Sequence, residues 1–202
     1  MNQLIYIAII LWTGFFLQER TPVDFNHKTI RKELKKISGI TNPKRIELTS
    51  LTKTSPAGEI SGKFYLIPPA SSKTNSYFLY VGRVNSCRAG GCSNSNGTPI
   101  SDTQYEYFDY FILFSQNGKI LKVKIFNYQA THGQEITARG WLNQFTGTTS
   151  IKKLKVGKNI DAISGATVSV YAITEDVSIQ ISRLEKLLKH KTGKKKPLFG
   201  NY

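Results

Sequence analysis

The chain opens with an apolar segment. Residues 4–17 form an uncharged apolar run that is followed by polar and charged residues. The length of this run matches the hydrophobic region of a secretory signal better than a membrane-spanning helix, which needs about 20 apolar residues. We therefore expect residues 1–20 to be a signal peptide or an N-terminal anchor, with a buried core helix as the alternative. Either targeting role makes the protein extracytoplasmic.

A short helix and several strands are predicted next. Across residues 24–37, apolar positions recur among basic ones at helical spacing, and Ser38-Gly39 provides a stop signal. The segments that follow predict strands at residues 45–52, 62–67, 77–84, 105–115 and 119–127. The last two strands flank Gln116-Asn117-Gly118, a turn sequence that predicts a β-hairpin.

A longer amphipathic helix is predicted near the C-terminal end. Beyond Thr167, apolar residues recur at steps of three and four as far as Leu188, with charged residues such as Asp176 between them. Helices together with hairpins indicate an α+β fold, in which an antiparallel sheet carries packed helices. A chain of 202 residues is short enough for one main domain.

Net charge limits the partners of this domain. The chain has 28 Lys and Arg residues against 13 Asp and Glu residues, a formal net charge of +15 at pH 7. Such a balance is typical of proteins that contact nucleic acid, an anionic membrane or an acidic partner. Export makes nucleic acid an unsuitable partner and leaves membrane association open. We interpret the basic tail, residues 189–202, as a solvated disordered segment, with contact to a membrane or an acidic partner as the alternative.

Cysteine usage agrees with export. The two cysteines, Cys87 and Cys92, are separated by Arg-Ala-Gly-Gly. A Gly-rich spacer of this length lets two sulfurs meet without much backbone strain, and an exported protein enters an oxidising compartment. We therefore expect a structural disulfide, with a redox-active pair or a metal site as the alternatives. The spacing does not match c-type haem attachment, and two cysteines cannot hold an iron–sulfur cluster alone.

The candidate chemistry lies where the last helix begins. The segment Asp161-Ala-Ile-Ser164-Gly165-Ala166-Thr167 places small and hydroxyl-bearing residues at a helix entrance. Small residues let the backbone approach a ligand, and the first N–H groups of a helix point outward, which is a geometry that binds phosphate. The alternative is ordinary helix capping, because Ser and Thr are favoured at helix starts for their own hydrogen bonds.

This segment resembles the D-x-x-(S/T)-G-A-T motif of the extracytoplasmic FMN-binding domain family, found in the periplasmic flavin subunits of Rnf and sodium-translocating quinone reductase complexes. A second segment, from Gln134 through Trp141 to Phe145, resembles the family's E-T-x-G-x-G…W-x-x-x-F region near the flavin. Here Ile136 separates the Glu and Thr of the usual pair, and one glycine is replaced or missing. The resemblance covers roughly residues 45–188.

The resemblance implies an electron-transfer protein that carries covalent FMN. In this family a flavin transferase joins the FMN phosphate to the last threonine of the motif, which is Thr167 here. The resemblance further implies that Ser164, Gly165 and Ala166 form the turn that admits the phosphate, and that Asp161 serves recognition by the transferase. Glu135 and Thr137 are the implied flavin contacts.

The implied domain organisation and partners follow from the same resemblance. Residues 21–44 become an N-terminal helix and linker, and residues 45–188 the FMN-binding domain. Membrane-associated proteins would donate and accept the electrons, at the periplasmic side of the membrane. No catalytic residue and no metal ligand is assigned. His132 is interpreted as a polar loop residue, with hydrogen bonding at the flavin edge as the alternative.

Two other functions remain open from the sequence. The first is an enzyme, a noncovalent FMN reductase, which would tolerate loss of the Thr167 hydroxyl. The second is a non-redox, surface-binding module, in which the motif is an ordinary helix cap and the basic charge does the binding.

Overall fold

A six-stranded antiparallel sheet with helices on both faces forms the body of the protein. The computed structural model describes residues 21–39, 41–54, 58, 60–71, 75–88, 105–149 and 154–193. Its strands are β1 (Ile46–Glu47), β2 (Lys53–Thr54), β3 (Ile60–Ile67), β4 (Tyr77–Arg88), β5 (Tyr105–Ser115) and β6 (Ile120–Gln129). Its α-helices are α1 (Lys28–Ser38), α2 (Arg139–Leu142) and α3 (Thr167–Gly193). The predicted α+β fold is confirmed.

The sheet has the order β1-β3-β4-β5-β6, with β2 also paired to β3. Alternating side chains point to opposite faces, so neighbouring residues of β3, β4 and β5 enter two different cores. One core joins the even-numbered residues of these strands, such as Tyr80 and Tyr110, to α2 and α3. The other joins the odd-numbered residues, such as Leu79 and Phe111, to α1. The sheet therefore separates α1 from α3.

Helix α1 begins later than the sequence predicts. Asp24 and Phe25 lie before the helix, and the His27 side chain caps it by accepting a hydrogen bond from the Thr29 N–H at 3.2 Å. The predicted stop is confirmed, because the helix ends at Ser38 and the Gly39 N–H bonds to the Lys35 carbonyl oxygen at 2.9 Å. The buried side of α1 packs on the odd-numbered face of the sheet.

The prediction of one continuous strand at residues 45–52 is wrong. That segment contains the short strand β1 and then a 3₁₀ turn at Thr49–Leu51, after which β2 begins. Both β1 and β2 pair with β3, so the interrupted segment follows one edge of the sheet. The other strand predictions are confirmed to within a few residues, with β4 extending four residues further, to Arg88.

The backbone of Cys87 lies in β4, whereas Cys92 lies outside the described residues. The disulfide therefore stays a prediction. The predicted signal or anchor at residues 1–20 also lies outside the described residues, as does the part of the basic tail after residue 193. The prediction of a disordered tail from residue 189 is wrong for residues 189–193, which continue α3. None of the helices in the described part is long and apolar enough to cross a membrane.

The predicted hairpin between β5 and β6 is confirmed. Ser115 and Lys119 close its turn through a hydrogen bond from the Ser115 N–H to the Lys119 carbonyl oxygen at 2.8 Å. The far end of α3 lies over this turn, since a Cβ added at Gly118 would meet Leu188 Cδ1 at 3.2 Å. Helix α3 therefore reaches the hairpin at one end and begins elsewhere on the sheet.

A buried polar network fixes the middle of α3 to the sheet. Asp176, 6% exposed, accepts hydrogen bonds from Lys53 Nζ at 2.9 Å, from Tyr110 Oη at 2.6 Å and from Gln180 Nε2 at 3.2 Å. Arg183 adds a hydrogen bond to the Thr52 carbonyl oxygen at 3.2 Å. Lys53 belongs to β2 and Tyr110 to β5, so their bonds to Asp176 determine how α3 lies across the strands.

The opposite face of the sheet carries a buried ion pair. Arg83 of β4 and Asp109 of β5 lie directly opposite each other and form two hydrogen bonds, at 2.7 and 2.9 Å. Asn127 of β6 donates a third hydrogen bond to the same carboxylate at 2.8 Å, and the Arg83 guanidinium stacks over the Tyr107 ring. Each polar group has a partner, as buried charges require.

Candidate functional site

The Asp161–Thr167 motif forms a tight turn that leads into α3. Ser164 and Gly165 occupy the turn, and Gly165 has a φ of 81°, a conformation that side chains other than glycine rarely adopt. The Ala166 N–H bonds to the Ile163 carbonyl oxygen, and the Ala166 carbonyl oxygen accepts the first hydrogen bond of α3, from Val170. Ala166 is therefore the N-cap residue of α3.

An alanine at this position leaves the helix start without a side-chain cap. Within the described residues, the hydroxyls of Ser164 and Thr167 make no hydrogen bond, and neither do the backbone N–H groups of residues 167–169. The Thr167 side chain is exposed. Ordinary capping does not account for these hydroxyls, whereas an anion with oxygen atoms would satisfy the free N–H groups.

Two side chains from the preceding segment hold the beginning of the motif. Trp141 Nε1 donates a hydrogen bond to the Asp161 carbonyl oxygen at 2.9 Å, and the Asp161 N–H donates to Gln144 Oε1 at 2.8 Å. The Asp161 side chain itself is exposed. Trp141 therefore positions the motif in addition to packing in the core, and Gln144 is a positioning residue that the sequence analysis missed.

Ser169, two residues after Thr167, attaches the first turn of α3 to the sheet. Its hydroxyl, which is buried, lies 2.7 Å from Ser86 Oγ of β4 and 3.2 Å from Tyr128 Oη of β6. The Tyr128 hydroxyl also donates to the His132 carbonyl oxygen at 2.6 Å. Since Ser169 faces the sheet, Thr167 points to the opposite side of the helix, toward solvent.

Burial and several neighbouring groups change the pKa of the Tyr128 hydroxyl. Burial raises the pKa of Tyr128 most, and the carboxylates of Glu106 and Glu135 raise it further, while the hydrogen bond with Ser169 lowers it. The hydroxyl therefore stays protonated at neutral pH and remains a hydrogen-bond donor.

Glu135 and Thr137 lie in a 3₁₀ turn, Gln134–Thr137, and both side chains are exposed. This turn follows Gly133, where an added Cβ would meet Ser169 Oγ at 2.7 Å, so the turn lies beside the first turn of α3. Within the described residues, neither side chain hydrogen-bonds to residues 164–167. The His132 side chain is exposed, and its contact in this cluster is made by its backbone carbonyl.

A cavity of about 400 Å³ opens on the Thr167 side of α3. Its lining comes from α3 and from the loop before the motif: Leu154, Lys155, Val156, Lys158, Tyr171, Thr174, Glu175 and Ser178. The four α3 residues follow Thr167 at steps of 4, 7, 8 and 11, which places them on one side of the helix with it. Tyr171 is 56% exposed, an unusual degree for a large ring on a core helix.

The arrangement combines a helix start with unpartnered N–H groups, as in anion-binding sites, with an exposed threonine hydroxyl. The cavity beside it is of ligand size, since ligand pockets measure about 300–1,000 Å³. In the described part of the chain, no three His, Cys, Asp or Glu side chains are grouped closely enough to bind a metal ion. The fold and the site together define an α+β domain that can hold a phosphate-bearing organic cofactor.

A comparison with known families supports FMN as the cofactor. Residues 108–179 match the family model of the FMN-binding domain. The match begins in β5 and ends in α3, so it includes the motif, the turn at Gln134–Thr137 and the start of α3. The resemblance inferred from the motif is therefore confirmed over residues 108–179, the part of the chain that matches an FMN-binding domain. No curated protein matches the chain.

Proposed function

We propose that the protein is an extracytoplasmic electron carrier whose FMN is joined through its phosphate to Thr167. One observation carries the proposal. The Thr167 hydroxyl is exposed and makes no hydrogen bond within the described residues, although it stands at a helix start whose first N–H groups also have no partner there. A phosphodiester at this oxygen keeps one negative charge, which the helix N-terminus stabilises.

Attachment requires a transfer step that a flavin transferase with magnesium catalyses. Thr167 Oγ1 forms a bond to the phosphorus of the FMN half of FAD, and the pyrophosphate bond breaks to release AMP. The hydroxyl proton is lost in this step. We assign the Asp161 carboxylate to recognition by the transferase, because it is exposed while Trp141 and Gln144 hold its backbone.

We further propose that the flavin ring system lies in the cavity beside Tyr171. The cavity is on the same side of α3 as Thr167, and Tyr171 follows Thr167 by one helical turn, about 6 Å along the axis. Its apolar lining from Leu154 and Val156 suits a flat aromatic group, and Lys155 and Lys158 suit its polar edge. Glu135 and Thr137 lie on the Ser169 side of the helix start, which makes them secondary candidates.

The flavin supplies one- and two-electron chemistry that no side chain of this chain provides. The chain binds and orients the cofactor, and covalent attachment prevents its loss outside the cytoplasm. Electrons would pass between membrane-associated donor and acceptor proteins. A noncovalent FMN reductase differs from this proposal in one checkable respect, since it does not need the Thr167 hydroxyl.

Intact-mass spectrometry after incubation with FAD, magnesium and a flavin transferase tests the attachment. We expect an FMN-sized mass increase in wild type, none in Thr167→Ala, and partial labelling in Thr167→Ser. Thr146→Ala is the matched control, because Thr146 is also exposed but lies outside the motif. Ser164→Ala should reduce labelling less than Thr167→Ala. Labelling that survives in Thr167→Ala would contradict the proposal, and flavin that is lost on denaturation would show noncovalent binding, which the reductase alternative requires.

The same labelled proteins test the position of the ring. Tyr171→Ser should change the visible absorption spectrum and fluorescence of the bound flavin without preventing attachment. Ile179→Ser is the control, since Ile179 is 47% exposed on α3 but does not line the cavity. Equal spectra in wild type and Tyr171→Ser would exclude the cavity as the position of the flavin ring. They would not affect the proposal that FMN is attached at Thr167.

A further inference from the structure

Helix α1 presents a row of positive charge on the face of the protein opposite α3. Five exposed basic residues project from its eleven residues: Lys28, Arg31, Lys32, Lys35 and Lys36. The first four are spaced at steps of three, one and three, which places them on one side of the helix. We call these four residues, Lys28, Arg31, Lys32 and Lys35, the basic stripe.

The acidic residue of α1 does not neutralise the stripe. Glu33 is buried, and its carboxylate pairs with Lys36 at 3.3 Å and with Lys124 of β6 at 3.6 Å. Burial by itself would raise the pKa of Glu33, but the hydrogen bond from Lys36 and the charges of Lys124 and Lys122 lower it overall. Glu33 is thus already paired, and no residue of the basic stripe forms an ion pair within the described part of the chain.

The apolar side of α1 is already used. Ile30 and Leu34 are buried against Leu79, Val81 and other residues of the odd-numbered sheet face. The helix therefore cannot insert an apolar side into a bilayer, as interfacial amphipathic helices do. A partner of α1 therefore contacts only the basic stripe, and the interaction is electrostatic.

We propose that the basic stripe binds the anionic headgroups of a membrane surface. The stripe is about 11 Å long, from Lys28 to Lys35, and when α1 lies flat on a charged surface all four of its charges come within about one Debye length, ~8 Å, of that surface. Position along the chain favours a membrane over an acidic protein. Ten residues separate the apolar run at residues 4–17 from Lys28, and they span at most about 35 Å. Where that run stays on the chain as an N-terminal anchor, it holds α1 close to the bilayer.

Binding to lipid vesicles tests this proposal, and it requires no flavin. The full chain should bind vesicles of phosphatidylcholine with phosphatidylglycerol more tightly than vesicles of phosphatidylcholine alone, and salt should reduce the difference. Since each basic residue near an anionic surface contributes about fivefold in affinity, the triple variant Arg31→Gln, Lys32→Gln, Lys35→Gln should lose about a hundredfold of the preference. The comparison of two lipid compositions cancels any binding by the apolar run itself.

Two control variants make the result decisive. Replacing Lys119, Arg139 and Lys186 by Gln removes three exposed charges elsewhere and should leave most of the preference. Replacing Arg31 by Lys, and Lys32 and Lys35 by Arg, keeps the charge and should retain the wild-type preference for anionic vesicles. Circular dichroism should show that all variants fold. A wild-type chain with no preference for anionic vesicles would overturn the proposal and would favour an acidic protein as partner. An equal loss of the preference for anionic vesicles in the two neutralised triple variants would also overturn the proposal.

Discussion

At the scale of single residues, Asp176 shows where a polar pattern misleads. The periodicity of α3 groups Asp176 with the charged residues between the apolar positions, yet the side chain is 6% exposed. Lys53 and Tyr110 approach it from β2 and β5, which are more than sixty residues away in sequence. Only the folded sheet brings these partners together, so no local pattern reveals them.

Replacing Asp176 should destabilise the fold strongly. Asp176→Ala leaves the buried Tyr110 hydroxyl without an acceptor and Lys53 without its counter-ion, which should cost about 3 kcal/mol in the free energy of unfolding. Asp176→Asn keeps one acceptor oxygen and should cost less. Urea unfolding measures both, with the exposed neighbour Glu175→Ala as control, expected within about 0.5 kcal/mol of wild type. Equal stability of Asp176→Ala and Glu175→Ala would refute the network's importance.

The motif residues were easier to predict. Thr167, Ser164 and Gly165 are adjacent in sequence, so their arrangement depends mainly on a local turn and on the helix that follows. The sequence could not show that Ser169 rather than Thr167 faces the sheet, because both lie at polar positions of the helix start. A tyrosine four residues after Thr167, on the same side of the predicted helix, was the available sequence signal for the cavity.

At the scale of elements, strong periodicity decided what could be predicted. The β5–β6 hairpin and α3 have long regular patterns, and the limits of both strands and the start of α3 agree with the prediction to within two residues. The end of α3 does not, because the helix continues beyond Leu188 to Gly193. Residues 134–145 have no such pattern and form two 3₁₀ turns flanking α2. Their conformation depends on tertiary contacts such as the hydrogen bond from Trp141 to Asp161. The interrupted edge at residues 46–54 likewise depends on pairing with β3.

A pair of glycines makes room for a tyrosine ring within the sheet. Gly62 of β3 and Gly82 of β4 lie opposite each other, and the Tyr80 ring covers both. A Cβ added at Gly82 would collide with Tyr80 Oη, and one added at Gly62 would lie 2.5 Å from it. The ring is fully buried, so it cannot move aside easily.

Gly82→Ala should therefore destabilise the protein by about 1–3 kcal/mol, the usual cost of forcing extra volume into a packed core. The matched control is Gly140→Ala in α2, where an added Cβ meets nothing within 4 Å. That variant should be neutral or more stable by about 0.5–1 kcal/mol, because alanine favours the helix. Chemical denaturation of both variants provides the comparison, and a Gly82→Ala protein as stable as Gly140→Ala would contradict the packing argument.

At the scale of the whole molecule, buried tyrosines limit stability in alkali. Burial is the main cause that raises the pKa of Tyr65 to about 12 and the pKa values of Tyr80 and Tyr110 well above 10. Above pH 10 the unfolded chain releases these protons while the folded protein keeps them. Folding stability is therefore fully present below pH 10 and falls as the pH rises further, by about 1.4 kcal/mol per pH unit for each tyrosine.

Tyr80→Phe should make the fall in folding stability above pH 10 less steep. It should also leave the protein as stable or slightly more stable at pH 7. The Asp176 carboxylate near the buried Tyr80 hydroxyl raises its pKa, but that carboxylate is hydrogen-bonded to Lys53, Tyr110 and Gln180, and the Tyr80 hydroxyl itself forms no hydrogen bond of normal geometry in the described part of the chain. Tyr110→Phe removes a similar proton but loses the hydrogen bond to Asp176, so it should be less stable at pH 7. Urea titrations between pH 7 and pH 11.5 distinguish the two. If the free energy of unfolding of wild type and Tyr80→Phe changed identically with pH, Tyr80 would not contribute to the loss of stability in alkali.

The separation of α1 from α3 by the sheet has a thermodynamic consequence. Substitutions in distant sites without shared partners add their free energies to within about 0.3–0.5 kcal/mol. The two cores contain different residues of the same strands, and α1 and the Thr167 end of α3 belong to different cores. Charge changes on α1 and changes at Thr167 should therefore show no coupling free energy. Each surface can then vary in sequence, naturally or by design, without altering the properties of the other.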